Sequence, residues 1–153
     1  KVIFRPHQEH YKRSKKTLND IFLKFKKNSN LIIDQNSNNL SCFEKSNFLI
    51  SDDSGIVHEF LFTCQKPFIV FSDLKKIHNN NFLEIKKSSF EEEIYEKFGY
   101  LVNSSEIDNL KENILKAKIE FNNKKKQIEN YISNKLYSKN ETSNIIFDEI
   151  INN

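Results

Sequence analysis

The residues able to do chemistry fall in three clusters, and the most organised lies between Phe48 and Glu59. Phe48, Leu49 and Ile50 form a short apolar run, expected as a strand buried on both faces of a parallel sheet. Ser51, Asp52, Asp53, Ser54 and Gly55 stop that run, and Ile56 to Gln65 resumes with helical spacing. Strand, tight polar turn and helix are the parts of a phosphate site. The N–H groups of the helix's first turn, and the positive end of its dipole, face the crevice at the strand's carboxyl end. Gly55 lets a ligand approach the backbone, and Ser54 adds a hydroxyl donor. Glu59, four residues after Gly55 and on the same helical face, offers a carboxylate to two neighbouring hydroxyls, as on a ribose. Asp-Ser-Gly is also the composition of an ordinary strand-to-helix turn with solvated acids, so the signal gains its weight from its setting.

The second cluster is Arg5-Pro6-His7, with His10 close behind, at the end of the apolar run Val2-Ile3-Phe4. Pro6 cannot donate to a ladder, so it marks the strand's end and sets His7 at the crevice edge. Asp73 and His78 form the third cluster, after another apolar run, Phe68 to Phe71, introduced by Pro67.

The elements that must position these clusters read as alternating strands and helices. A helix is expected from about Ser14 to Lys27, with Leu18, Ile21, Phe22 and Phe25 as its apolar stripe and its lysines as a solvated face. Gln8 to Tyr11 read as the connection leading to it. Leu31 to Ile33 is a strand, and Leu40 to Lys45 a short helix with Leu40 and Phe43 turned inward. Ser72 to Glu93 carries no legible element. Gly99 to Val102 is a short strand, followed by a helix capped by Ser104 or Ser105. From Ile107 to Tyr131 apolar residues recur at steps of three and four, as one long helix or two in line reaching Leu136, and Glu141 to Ile151 is a last short helix. The pattern predicts an α/β fold. Its sheet is open, mainly parallel and Rossmann-like, with helices on both faces and long C-terminal helices after it. Residues 1–103 form the nucleotide-binding domain in this reading, and residues 104–153 are helices packed on it or on a part of the protein outside this chain.

Composition bounds the partners. The 153 residues suit a domain with a proper core, and a net charge of +3 spread along the chain does not mark a nucleic-acid binder. Cys42 and Cys64 are too few for a disulfide framework or a zinc site and are expected as buried thiols. No apolar run approaches a membrane span. The chain lacks methionine and opens directly on a strand, which suggests the C-terminal part of a longer protein.

Three segments in matching order carry a resemblance. Arg-Pro-His ends the first strand, Ile-Ser-Asp-Asp-Ser-Gly precedes a helix carrying Glu-Phe-Leu, and Lys-Pro-Phe-Ile-Val-Phe follows it. Together, over about Val2 to Leu110, they resemble the C-terminal half of the CDP-glycerol glycerophosphotransferase family, which builds teichoic-acid-like polymers and related capsule structures. That family shows His-Pro after the arginine and proline, whereas here Gln8 follows His7, and Asp53 and Gly55 stand in its tyrosine and second serine places. Asp-Ser-Gly with a following Glu also resembles the nucleotide-binding turn of UDP-N-acetylglucosamine 2-epimerases, which share the GT-B architecture.

The resemblance implies the donor-binding half of a GT-B fold, with no metal and no cofactor. His7 would be catalytic, donating to the donor's diphosphate and stabilising the leaving CMP. Arg5 would be an ionic partner for phosphate. Asp53, Ser54 and Gly55 would line the nucleotide site, with Glu59 at the ribose and His10 and His78 as weaker candidates. The donor would be CDP-glycerol or another nucleotide diphosphate. The acceptor, a polymer or lipid-linked chain, would be bound by an N-terminal half outside this chain, which also would hold the acceptor base. The implied location is the cytoplasm, at the inner face of the cytoplasmic membrane through peripheral association. Two other readings stay open: a GT-B nucleotide-sugar enzyme (glycosyltransferase or 2-epimerase), and a non-catalytic α/β interaction module.

Overall fold

A computed structural model describes residues 1–36, 38–73, 81, 84, 89–136 and 141–152. The chain is mixed α/β, with every strand pair parallel among the described residues. It divides into two compact units, Lys1–Asn47 and Phe48–Asn153.

In the first unit, β1 (Val2–Phe4) pairs with β2 (Leu31–Ile33) in register Val2 to Leu31. The crossover between them holds α1 (Gln8–Arg13) and α2 (Lys15–Phe25). Gln8 to Tyr11 are therefore helical, not a connection, because His7 supplies an N-cap that starts the chain turning. Leu18 is the buried residue of α2. In α3 (Leu40–Lys45) Phe43 is buried as expected, whereas Leu40 is 50% exposed. Cys42 and Cys64 are partly exposed rather than buried, and neither is bridged.

The second unit is built on three strands in the order β3-β4-β5: Leu49–Ser51, Phe68–Phe71 and Tyr100–Val102. β4 is the centre. Phe68, Ile69 and Val70 are each at most 1% exposed, as a strand covered on both faces must be. Its alternation sends Phe68 and Val70 into a cluster with α4 (Ile56–Cys64), α5 (Phe90–Phe98) and α7 (Lys125–Lys135). Ile69 goes to the opposite face, against Ala117 of α6 (Leu110–Asn123). Both faces of this sheet are thus covered by helices. α4 ends at Gln65, whose left-handed backbone (φ 49°) returns its N–H to the Leu61 carbonyl.

Further expectations need correction. The five apolar runs are hydrogen-bonded in two sheets, β1-β2 and β3-β4-β5, not in one. The Phe48 run is an edge strand, with Ile50 42% exposed, because β4 takes the central place. The stretch Ser72 to Glu93, which carries no legible element in the sequence, holds the first residues of α5, which runs on to Phe98 and opens on a capping box: Ser89 accepts from Glu92 N–H, and the Glu92 side chain accepts from Ser89 N–H.

The C-terminal stretch is also divided. Asn103, not Ser104 or Ser105, caps a 3₁₀ turn over Ser104–Asn109. α6 and α7 follow it, separated at Lys124. Lys124 earns this break a partner: its ammonium donates to the Lys97 carbonyl at 3.0 Å, a cation at the C-terminal end of α5. Among the described residues, α8 (Thr142–Asn152) is the last element.

Candidate functional site

The turn between β3 and α4 sits at the carboxyl end of a parallel sheet, where strand-helix-strand units place their ligands. Gly55 is the N-cap of α4, and no side chain caps that helix end. The Gly55 backbone is ordinary right-handed (φ −55°, ψ −18°), and a Cβ built there meets nothing within 4 Å. Among the described residues, the space beside Gly55 at the start of α4 is therefore open.

Behind the turn stands Tyr95, from α5, which sequence reasoning missed. Its hydroxyl accepts from Ser54 N–H and donates to the Ser54 carbonyl, both at 3.2 Å. Burial, and then the charge of Asp53, push the phenol well above its usual range, so the hydroxyl keeps its proton. The Ser54 N–H is thus spent on positioning the turn. Val57 N–H is likewise spent, on the Ser54 carbonyl at 3.1 Å, so the donors left to serve a ligand are the Ser54 hydroxyl and the N–H groups of Gly55 and Ile56. Ser89-x-x-Glu92 ahead of Ile94, Tyr95 and Phe98 is the sequence signal that leads to Tyr95.

Beside the turn lies a small cavity of about 80 Å³, lined by Asp53, Ser72, Glu92, Tyr95, Glu96 and apolar residues of β4 and β5. Three carboxylates and a phenol make it a place for hydroxyl or cationic groups and a poor one for phosphate. A larger hollow of about 240 Å³ lies between α1 and α2, lined by Tyr11, Lys15, Leu18, Asn19 and Phe22. It gathers one phenol and one ammonium, with no carboxylate or imidazole beside them. Among the described residues, no three His, Cys, Asp or Glu side chains converge as a metal site.

The remaining candidates are placed as follows. Asp53 and Ser54 are partly buried, whereas Gly55 and Glu59 are exposed. His58 packs on Phe90 and Tyr95, with ring centroids 5.3 and 5.8 Å away. Burial lowers its pKa against the pull of Glu91, so it brings little positive charge to the turn. Asp73 accepts from the backbone N–H of Ser104 at 2.9 Å and from its hydroxyl, tying the end of β4 to the turn after β5.

In the first unit, Arg5 is paired with Asp34 at 2.5 Å and donates to the Asn36 carbonyl at 2.6 Å. Its guanidinium is committed to the fold of that unit rather than presented as a free cation. His7 is exposed and caps α1, its Nδ1 accepting from Glu9 N–H at 3.2 Å. That bond puts the neutral ring's proton on Nε2, which leaves Nε2–H as a donor. His10 is exposed in the last turn of α1. His78 lies outside the described residues.

Comparison with protein-family models, curated proteins and solved structures finds no match to the chain.

Proposed function

We propose that the chain is the donor-binding half of a CDP-glycerol glycerophosphotransferase-like enzyme with a Rossmann-like, GT-B arrangement. It transfers glycerol phosphate, or a related phosphoryl-alcohol, from a CDP-activated donor to a cell-surface polymer acceptor at the cytoplasmic face of the membrane. The observation that carries this reading is the parallel β3–α4–β4 unit, whose uncapped helix end opens at the sheet's carboxyl edge with free space over Gly55. The order of the Arg-Pro-His, Asp-Asp-Ser-Gly and Pro-Phe-Ile-Val-Phe segments supports the family.

The residues divide the work by charge. The donor's phosphates lie over the first turn of α4, held by its N–H groups and the Ser54 hydroxyl. They stay out of the cavity of Asp53, Glu92 and Glu96, where carboxylates repel them. Hydroxyl-bearing parts of the donor turn to carboxylates, with Glu59 at the ribose. In the family that the chain resembles, the acceptor hydroxyl attacks the distal phosphorus and CMP departs with the bridging oxygen, and the resemblance assigns His7, through its Nε2–H, to the diphosphate. The acceptor and its base belong to an N-terminal half outside this chain.

Thermal unfolding with ligand tests the reading. A ligand that binds only the folded state stabilises it by RT ln(1 + [L]/Kd), about 2.7 kcal/mol at a hundredfold excess over Kd. CDP and CDP-glycerol should raise Tm, and Ser54→Ala with Glu59→Ala should blunt the rise. A larger response to UDP-N-acetylglucosamine would favour the GT-B nucleotide-sugar enzyme. A flat response to all of them would leave the non-catalytic module.

A further inference from the structure

The second unit carries two outward apolar faces of opposite charge. On α8, Ile146, Phe147, Ile150 and Ile151 fall on one face at helical spacing and are 54%, 63%, 71% and 66% exposed. Asp148 and Glu149 flank that face, and α8 has no cation. On α6, Leu115 and Ile119 form an i, i+4 ridge directed away from buried Asn113, Ala117 and Phe121, and are 56% and 62% exposed. Lys111 and Lys118 run along one side of that ridge. On its other side Lys116 is paired with Glu112 at 2.8 Å.

We infer that α8 of one copy of this chain docks on the α6 ridge of a second copy, in a reciprocal two-fold dimer. Neither face covers the other within one chain, since both are open to solvent. Charge selects the partner: an acidic apolar helix fits a ridge edged by lysines, and it is repelled by an anionic lipid surface. A two-fold arrangement uses the pair twice, so all four faces are covered in a closed assembly. Scattered exposed apolar residues need no explanation, but four adjacent ones on an eleven-residue helix do.

The test is the mass of the chain in solution by light scattering over a range of concentrations. A dimer of twice 18.2 kDa is expected, giving way to monomer on dilution. Ile150→Asp on α8 and Leu115→Asn on α6 should each raise the dimer dissociation constant at least about tenfold. Both positions are exposed, so far-ultraviolet circular dichroism should be unchanged. Lys118→Glu should weaken the dimer, and adding Asp148→Lys should restore it. Four outcomes overturn the inference: a wild-type monomer at every concentration, a dimer indifferent to the α8 variants, a monomer whose Tm falls in Ile150→Asp (docking within one chain), or α8-dependent binding to anionic vesicles.

Discussion

Replacing Arg5 by alanine should damage the first unit before it damages any ligand site. The Arg5 side chain is 15% exposed and its partner Asp34 8%, so the pair is nearly dry. Breaking such a pair from one side strands a buried charge, at a cost of about 3–5 kcal/mol. Asn36 softens the loss, since its backbone N–H and side-chain amide both donate to Asp34 Oδ1, at 3.2 and 2.7 Å. We therefore expect about 3 kcal/mol, roughly two decades in the opening equilibrium of that unit. Arg5→Lys should recover only part of it, because one ammonium cannot fork between the Asp34 carboxylate and the Asn36 carbonyl. The dependence on pH has a definite sign. Burial raises the Asp34 carboxyl, but bonds from Asn36 and Arg5 outweigh it and hold it below its usual 3.8. The contribution is then complete above that value and fades as pH falls through the lower, folded pKa. Hydrogen exchange of amides within residues 1–47, read peptide by peptide, is the assay. Unchanged protection in Arg5→Ala would refute the structural role and return the guanidinium to the list of phosphate ligands.

Other outcomes follow from single positions. His58 has its pKa lowered by burial, so its contribution to stability is present above the ordinary 6.5 and lost as pH falls through the folded value. Urea midpoints should therefore drop below about pH 6.5, and His58→Phe, which keeps the packing on Phe90 and Tyr95, should flatten that limb. An added Cβ at Gly99 meets the Tyr95 carbonyl at 2.7 Å and Phe68 Cε2 at 3.0 Å, so Gly99→Ala should destabilise the second unit by about 1–3 kcal/mol in urea unfolding. Gly55→Ala, with open space and a right-handed backbone, should leave stability unchanged or raise it by about 0.4–1 kcal/mol. It should still reduce the thermal response to CDP, because the new methyl stands over the helix end. His7→Asn keeps an N-cap acceptor for Glu9 N–H but loses Nε2–H, so calorimetry should show weaker donor binding with α1 intact.

Much of the alternation was legible because apolar runs and helical stripes are local. Phe68 to Phe71 reads as an uninterrupted apolar run, and it is the centre of its sheet. Phe48 to Ile50 looks the same in sequence yet forms an edge, since three apolar residues do not encode which neighbours they will have. α5 was missed because Glu91, Glu92 and Glu93 make its first turn look like loop, although Ser89 and Glu92 were already spaced as a capping box. With α5 went Tyr95, whose hold on Ser54 spans 41 residues. The Arg5–Asp34 pair spans 29, and a charge that meets its partner at such separation is visible only in the fold.

The central claim is that phosphates of a nucleotide sit on the first turn of α4. Its most direct measurement is a ¹H–¹⁵N correlation spectrum of the chain titrated with CDP to millimolar concentration. Saturable shifts of the Gly55 and Ile56 amides, lost in Gly55→Ala, are the predicted result. Amides of α4's first turn that stay still, whether or not peaks move elsewhere, would contradict it.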